Sequence, residues 1–216
     1  MSEPITFYTN PQSRGRIVHW MLEEVGVSYR AVVLDLDKRE HKTPEFLAIN
    51  PMGKVPVIVD RTLVENGVVV TEAAAICTYL ADAYPAAQLA PATTDPRRGT
   101  YLRWLFYAAG CVEPALVDRM LARPAGDRPS ALGYGSYDDV VATLEKAITP
   151  GPFILGDRFS AADVYLGSSI GWGIMAKTLE PRPAFIRYQE GYIDRPAFKR
   201  FAAQAQEMVL VMKQSG

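Results

Sequence analysis

Two short segments carry residues whose types and spacing suit the binding of a small charged peptide. Lys54-Val55-Pro56 precedes an apolar run, and Thr71-Glu72 opens an alanine-rich run. Because proline has no backbone N–H for a strand ladder, a bend at Pro56 leaves the preceding backbone free to pair with something else. A helix start offers unpaired N–H groups, and Glu72 adds a carboxylate there. Together the segments predict a site that holds an extended peptide by its backbone and its charged ends.

The elements that position these segments follow from the apolar periodicity and the turn residues. Gly26 suits a helix C-cap, and Glu65-Asn66-Gly67 is typical of a hairpin turn. The order βαβ and then ββα predicts a thioredoxin-like α/β domain of about 80 residues. Strands are expected at 4–9, 29–34, 56–60 and 68–70, and helices at 14–26, 44–49 and 72–84.

The composition changes after residue 84. A connector rich in proline and alanine leads into a part that is helical throughout, so the fold class is α/β plus all-α. Ser160 and Asp163 fit the N-cap and N3 positions of a capping box, which predicts a structural rather than a catalytic Asp163. The predicted domains are 1–84, a linker at 85–95 and a helical domain at 96–216, with helices at 96–122, 134–148, 160–178, 183–192 and 196–212.

Composition and charge argue against several functional classes. The 216 residues carry a net charge of −1, which gives no electrostatic footprint for nucleic acid or an anionic membrane. No apolar run approaches the roughly 20 residues that cross a bilayer, and the first residues do not resemble a secretory signal. Two cysteines and two histidines lie at no ligand-like spacing, so we expect no metal and a cytoplasmic location.

Along essentially its whole length the chain resembles the cytosolic glutathione transferases. The resemblance rests on the segments around Pro56 and Glu72, the proline-rich linker and the run GDRFSAADVYLG at 156–167. The stretch 40–60 is particularly similar to the phi-class and related bacterial enzymes, which implies a serine-type site. The family is usually a homodimer, so a homodimer is the implied assembly.

The resemblance implies a residue that stabilises the thiolate of glutathione, whose thiol has an ordinary pKa of about 8.5. Ser13 is the leading candidate, because a hydroxyl at a helix start favours a thiolate. Its alternative role is to cap the helix that follows. Asn10 and Gln12 are the other candidates, and Tyr8 is expected in the core or in a wall of the site.

The same resemblance implies how glutathione is held. Its backbone would pair with Val55, with Pro56 in the cis form, and Glu72 would receive the γ-glutamyl ammonium group. Ala73 stands where the family has serine, so one hydroxyl contact is absent and the backbone N–H remains. Basic residues would meet the glycyl carboxylate: His41, Lys42 and Lys54.

We therefore predict a glutathione transferase that adds the thiolate to a small hydrophobic electrophile in detoxification, with glutathione-dependent peroxide reduction as a variant. The alternative is a non-catalytic ligand carrier or protein-interaction module on the same fold. Walls of the electrophile pocket are predicted in the helical domain, where helix-core packing would give the same pattern: Trp104, Tyr107, Cys111, Trp172 and Met175.

Overall fold

The computed structural model describes residues 3–123 and 129–214, which form two compact units. The first unit contains the described residues up to Ala87 and those from Arg195 onward, and the second is Gln88–Asp194. The last helix belongs to the first compact unit, whereas the predicted domains place it in a helical domain at 96–216. The prediction treated each domain as one continuous stretch, and the chain returns to its first unit.

A mixed four-stranded sheet forms the centre of the first unit, with the order β2-β1-β3-β4. Strands β1 and β2 are parallel, and the other neighbouring pairs are antiparallel. This arrangement confirms the thioredoxin-like prediction. The strands are β1 (Ile5–Thr9), β2 (Tyr29–Val33), β3 (Val57–Asp60) and β4 (Val68–Thr71), and the helices are α1 (Gly15–Val25), α2 (Pro44–Ile49) and α3 (Ala73–Ala83).

Local sequence explains where the first helices begin and end. Gly26 has φ 75°, and its N–H donates to the carbonyl of Leu22 at 2.9 Å, as expected for a glycine that ends a helix. Thr43 precedes α2 and accepts a hydrogen bond from the N–H of Phe46, while Pro44 occupies the first turn, where its missing N–H costs nothing.

The last helix, α9 (Pro196–Gln214), packs against α1 through ion pairs and aromatic rings. The guanidinium of Arg195 donates to both carboxylate oxygens of Glu24, at 2.8 and 2.7 Å. The rings of Trp20 and Phe198 meet edge to face at 4.9 Å between centroids. These contacts across the whole length of the chain explain why α9 joins the first unit.

A buried histidine lies in the same contact between α1 and α9. His19 is 2% exposed, and its Nε2 lies 2.8 Å from Oε1 of Gln204. Burial lowers the pKa of His19 below its ordinary value of about 6.5. The neighbouring charges are Glu23, which raises this pKa, and Arg16, which lowers it further.

Stability is expected to fall in acid through this residue. With its folded-state pKa depressed, the unfolded chain binds more protons, so the contribution of His19 is fully present above about pH 6.5 and is lost below it. His19→Gln should flatten the acid side of a plot of unfolding free energy against pH, measured by denaturant titration. His41→Gln changes the chain's other histidine and serves as control. Parallel profiles for His19→Gln and the parent protein would contradict this expectation.

The second unit is built from helices. Its members are α4 (Arg98–Tyr107), a π-helical turn (Ala108–Val112), α5 (Glu113–Met120), α6 (Tyr137–Ile148), α7 (Ala161–Met175) and α8 (Pro183–Ile193). The single helix predicted at 96–122 is thus divided by the wider π turn. Pro114 accounts for the interruption, since a proline ring clashes with the carbonyl four residues earlier in a regular helix.

The capping box at the start of α7 is present as predicted, with Ser160 and Asp163 bonded to each other. Short 3₁₀ turns occur at Glu40–Lys42, Pro85–Ala87 and Pro129–Ala131. No helix within 3–123 or 129–214 has the length and apolar content needed to cross a membrane.

Candidate active site

Three of the predicted site segments end at one edge of the sheet in the first unit. Tyr8 of β1 lies opposite Val57 of β3, and Val57 lies opposite Thr71 of β4. Since β3 runs antiparallel to both neighbours, the end of β1, the beginning of β3 and the end of β4 share this edge. The turn to Ser13, the Val55 backbone and the start of α3 are therefore brought together by the strand register.

The hydroxyl of Ser13 takes part in the turn between β1 and α1. It donates to the carbonyl of Asn10 at 2.7 Å and accepts from the N–H of Gly15 at 3.0 Å. The side chain is half-buried. The hydroxyl is thus bonded inside the turn, and the N-cap position of α1 is Arg14 rather than Ser13.

Asn10 has a structural role in the same turn. It is 3% exposed, its Nδ2 donates to the carbonyl of Leu34 at 2.9 Å, and its Oδ1 accepts from the N–H of Gln12 at 2.8 Å. The second amide hydrogen points to Sδ of Met212, 3.9 Å from the nitrogen. Both donors of the Asn10 amide therefore have partners within the protein, and its contact with glutathione stays a prediction.

The segment before β3 presents free backbone groups. The Val55–Pro56 peptide bond is cis, as expected, and neither backbone group of Val55 bonds to another residue that the structure describes. The turn is fixed from behind, since Nδ2 of Asn50 donates to the carbonyl of Lys54 at 2.8 Å. Lys54 itself is exposed. Val55 thus offers an N–H and a C=O to an extended ligand.

Glu72 stands at the beginning of α3 in an uncommon backbone conformation. Its φ is 64°, and residues other than glycine adopt this backbone conformation only at a cost of about 1–3 kcal/mol. The side chain is exposed, and its carboxylate has no partner among the described residues. The next residue, Ala73, is the first of α3, and no side chain caps its N-terminus. The carboxylate of Glu72 is therefore available to a cation, and the first N–H groups of α3 are available to an anion.

The basic residues of the loop before β3 differ in their contacts. Lys42 donates from Nζ to the carbonyl of Met52 at 2.8 Å, which uses one of its three donors inside the loop. Nδ1 of His41 is buried without a hydrogen-bond partner in the described part of the chain. Gly53 has φ 57°, and a Cβ there would lie 2.7 Å from the carbonyl of His41, so the loop requires glycine.

Tyr8 packs in an apolar cluster of the first unit, with its ring 5.6 Å from that of Phe46. Its half-buried side chain agrees with the expected position in the core or a wall. Sequence reasoning missed Gly15, where a Cβ would collide with the hydroxyl of Thr9. Glycine in the first turn of a helix was the available signal, because it is a poor helix former.

The predicted pocket residues of the second unit differ in burial and in their contacts. Trp104 and Tyr107 meet edge to face at 5.3 Å, but Trp104 is 8% exposed and the hydroxyl of Tyr107 donates to the carbonyl of Val140 at 3.1 Å. Cys111 is half-buried in the π turn, and burial raises the pKa of its thiol. On α7, Trp172 is half-buried and Met175 is 72% exposed.

Comparison with known proteins identifies the family. Residues 3–82 match the model of the glutathione S-transferase N-terminal domain, and residues 114–188 match that of the C-terminal domain. Glutathione S-transferase GstA of Escherichia coli O157:H7 is 31% identical over 82% of this chain and 87% of its own length. The chain therefore belongs to the glutathione S-transferase family.

Other relatives differ in their described activities. The disulfide-bond oxidoreductase YfcG of Escherichia coli K12 is 29% identical over 94% of this chain and 96% of its own length. Among solved structures, the glutathione transferase URE2P6 of Phanerochaete chrysosporium, in complex with oxidized glutathione, superposes with a TM-score of 0.80. It is 26% identical, and the match covers 95% of this chain and 98% of that one.

Proposed function

We propose that this protein is a glutathione transferase that adds the thiolate of bound glutathione to a small hydrophobic electrophile. The observation that carries the proposal is that three groups without hydrogen-bond partners among the described residues lie at one edge of the sheet. These are the free backbone of Val55, the strained and unpartnered Glu72, and the open N-terminus of α3. A protein that kept this fold only for stability has no use for a strained residue and free polar groups at one place.

Each end of the tripeptide has a chemical counterpart in the first unit. The γ-glutamyl ammonium group suits the carboxylate of Glu72, and the adjacent carboxylate suits the first N–H groups of α3, beginning with Ala73. The cysteinyl backbone would pair with both groups of Val55. A glycyl carboxylate would meet the exposed ammonium of Lys54 and give an acceptor to Nδ1 of His41. Lys42 would also contact the glycyl carboxylate, because two of its three donors are not used within the loop.

Ser13 can stabilise the thiolate at a modest cost. Its hydrogen would have to turn from the carbonyl of Asn10, giving up a neutral hydrogen bond with a net value of about 1 kcal/mol. A hydrogen bond to a charged group contributes about 1.5–3 kcal/mol, so the exchange favours the thiolate. The N–H of Gly15, which donates to the same oxygen, polarises the hydroxyl and strengthens it as a donor.

The electrophile would be bound by apolar and aromatic residues of the second unit, around Trp104, Tyr107 and Cys111, with Trp172 from α7. The proposal includes a serine-type site, a cytoplasmic location and a homodimer, which rest on the resemblance to the family. A glutathione carrier without catalysis is the second candidate. The specific observation in its favour is that the Ser13 hydroxyl is bonded within its own turn.

Titration of the thiol of bound glutathione, followed by thiolate ultraviolet absorbance, separates the two candidates. For a transferase, the bound-thiol pKa should lie at least about one unit below 8.5, which corresponds to about 1.4 kcal/mol. Ser13→Ala should return this pKa towards 8.5 and lower turnover of chlorodinitrobenzene about tenfold or more, with the dissociation constant of glutathione nearly unchanged.

Ser130→Ala is the matched control, because it removes an exposed serine hydroxyl outside the turn that contains Ser13. An unchanged turnover in Ser13→Ala would leave Ser13 with a purely structural role. Binding without any shift of the thiol pKa would favour the carrier, and the absence of glutathione binding would refute both candidates.

A further inference from the structure

A groove with a volume of about 710 Å³ runs along the outer strand of the first unit. One side is β2, whose alternate residues Tyr29, Ala31 and Val33 share a face of the sheet. The other side is the second half of α9, where Met208 and Met212 lie one helical turn apart. The groove is therefore formed by two regular elements of one compact unit.

Much of the lining of the groove is apolar, and part of this apolar surface is exposed. Ala31 on the strand is half-buried, and Val211 on the helix is 55% exposed. Methionine side chains such as Met208 are flexible and polarizable, which suits a surface that adapts to different apolar ligands. The volume falls within the range of about 300–1,000 Å³ that small-molecule sites occupy.

The charged residues that line the groove are all carboxylates: Glu3, Glu23 and Glu207. Glu23 is already neutralised, since it accepts from Nε of Arg200 at 2.8 Å and from the hydroxyl of Tyr29 at 2.8 Å. Glu3 and Glu207 are exposed and have no partner among the described residues. An apolar groove with two uncompensated negative charges is complementary to a ligand that combines an apolar body with a positive charge.

We propose that this groove is a second ligand site, which binds hydrophobic organic cations such as planar aromatic amines. The aromatic body lies between Ala31 and Met208, and the protonated nitrogen lies towards Glu3 and Glu207. The site differs in chemistry from the proposed glutathione site, which receives a peptide with two carboxylates. It also differs in place, because β1 separates β2 from β3 in the sheet.

Proflavine, a planar aromatic cation with its own fluorescence, is the probe. We expect one proflavine per chain, bound equally well in the presence of saturating S-hexylglutathione. Each exposed charge pair contributes up to about fivefold in affinity, so the double variant Glu3→Gln/Glu207→Gln should weaken binding by about tenfold. Ala31→Phe should abolish it by filling the groove. Met212 is left unchanged, because its sulfur contacts Asn10 in the turn before Ser13.

Glu45→Gln, at an exposed carboxylate of α2 outside the groove, is the matched control and should leave proflavine binding unaltered. Anilinonaphthalenesulfonate supplies an aromatic anion, which should bind the groove at least about tenfold more weakly than proflavine. If Ala31→Phe does not fold, proflavine binding to the double variant Glu3→Gln/Glu207→Gln tests the proposed site.

Four results would overturn the proposal. Displacement of proflavine by S-hexylglutathione would assign the dye to the glutathione and electrophile sites. An unchanged dissociation constant in Glu3→Gln/Glu207→Gln would show that the two carboxylates do not select the ligand. Equal binding of the anion and the cation, or no proflavine binding at millimolar concentration, would remove organic cations as the ligand class.

Discussion

Glutathione binding is expected to weaken about tenfold to a hundredfold when Glu72 is replaced by alanine. The carboxylate has no partner among the described residues, and the backbone holds it at φ 64° at the end of the sheet edge where Val55 is free. A charge-assisted hydrogen bond to an ammonium group contributes about 1.5–3 kcal/mol, which corresponds to this loss of affinity. Isothermal titration of glutathione into both proteins measures it directly.

Two controls make the result specific to the γ-glutamyl group. Glu65→Ala removes an exposed carboxylate from the β3–β4 hairpin and should leave the dissociation constant unchanged. The dipeptide cysteinylglycine lacks the γ-glutamyl group, so its weaker binding should be the same in the parent protein and in Glu72→Ala. Equal losses for the tripeptide and the dipeptide would mean that the substitution disturbs the backbone rather than removes a contact.

Local signals in the sequence were sufficient for the thioredoxin-like part. A glycine after an apolar helical stripe predicted the end of α1 at Gly26, and the Asn66-Gly67 pair predicted the turn between β3 and β4. Both features depend on the conformational freedom of glycine, which acts within a few residues. Local rules could therefore place the strands that carry Val55 and Glu72.

Contacts between distant residues could not be predicted in the same way. Gln204 reaches His19 across 185 positions of the chain, and Asn10 bonds to Leu34 on the neighbouring strand. Apolar periodicity showed that α9 is a helix with a buried face, but not which partner covers that face. The bond from Asn10 to Leu34 could not be predicted for the same reason, since the sequence does not show whether a polar residue beside a predicted site bonds to a ligand or to the backbone.

The hydrogen bonds of Ser13 illustrate a further limit. A serine at the start of a helix is equally suited to a local turn and to a ligand, and the structure shows the local use. Since one hydroxyl can exchange partners when a stronger acceptor arrives, the two uses do not exclude each other. Only the bound-thiol titration distinguishes a serine that exchanges its partner from one that does not.

The largest expected loss of stability comes from Asp163→Ala in α7. Asp163 is fully buried, and its carboxylate accepts four hydrogen bonds: from the N–H of Ile154 at 2.7 Å, the hydroxyl of Tyr188 at 2.6 Å, and the N–H and hydroxyl of Ser160 at 2.8 and 2.7 Å. A capping box alone contributes about 1–2 kcal/mol. The contacts with the loop before α7 and with α8 therefore make this residue a junction of three segments.

Alanine at position 163 would leave these donors buried without an acceptor, so we expect the free energy of unfolding to fall by about 3–5 kcal/mol. Denaturant titration measures the change. Asp157→Ala removes an exposed carboxylate from the same loop and should cost less than about 0.5 kcal/mol. A loss of only 1–2 kcal/mol in Asp163→Ala would mean that the cap alone matters. A larger loss shows that the carboxylate joins α8 and the preceding loop to the start of α7, which an N-cap motif read from sequence cannot reveal.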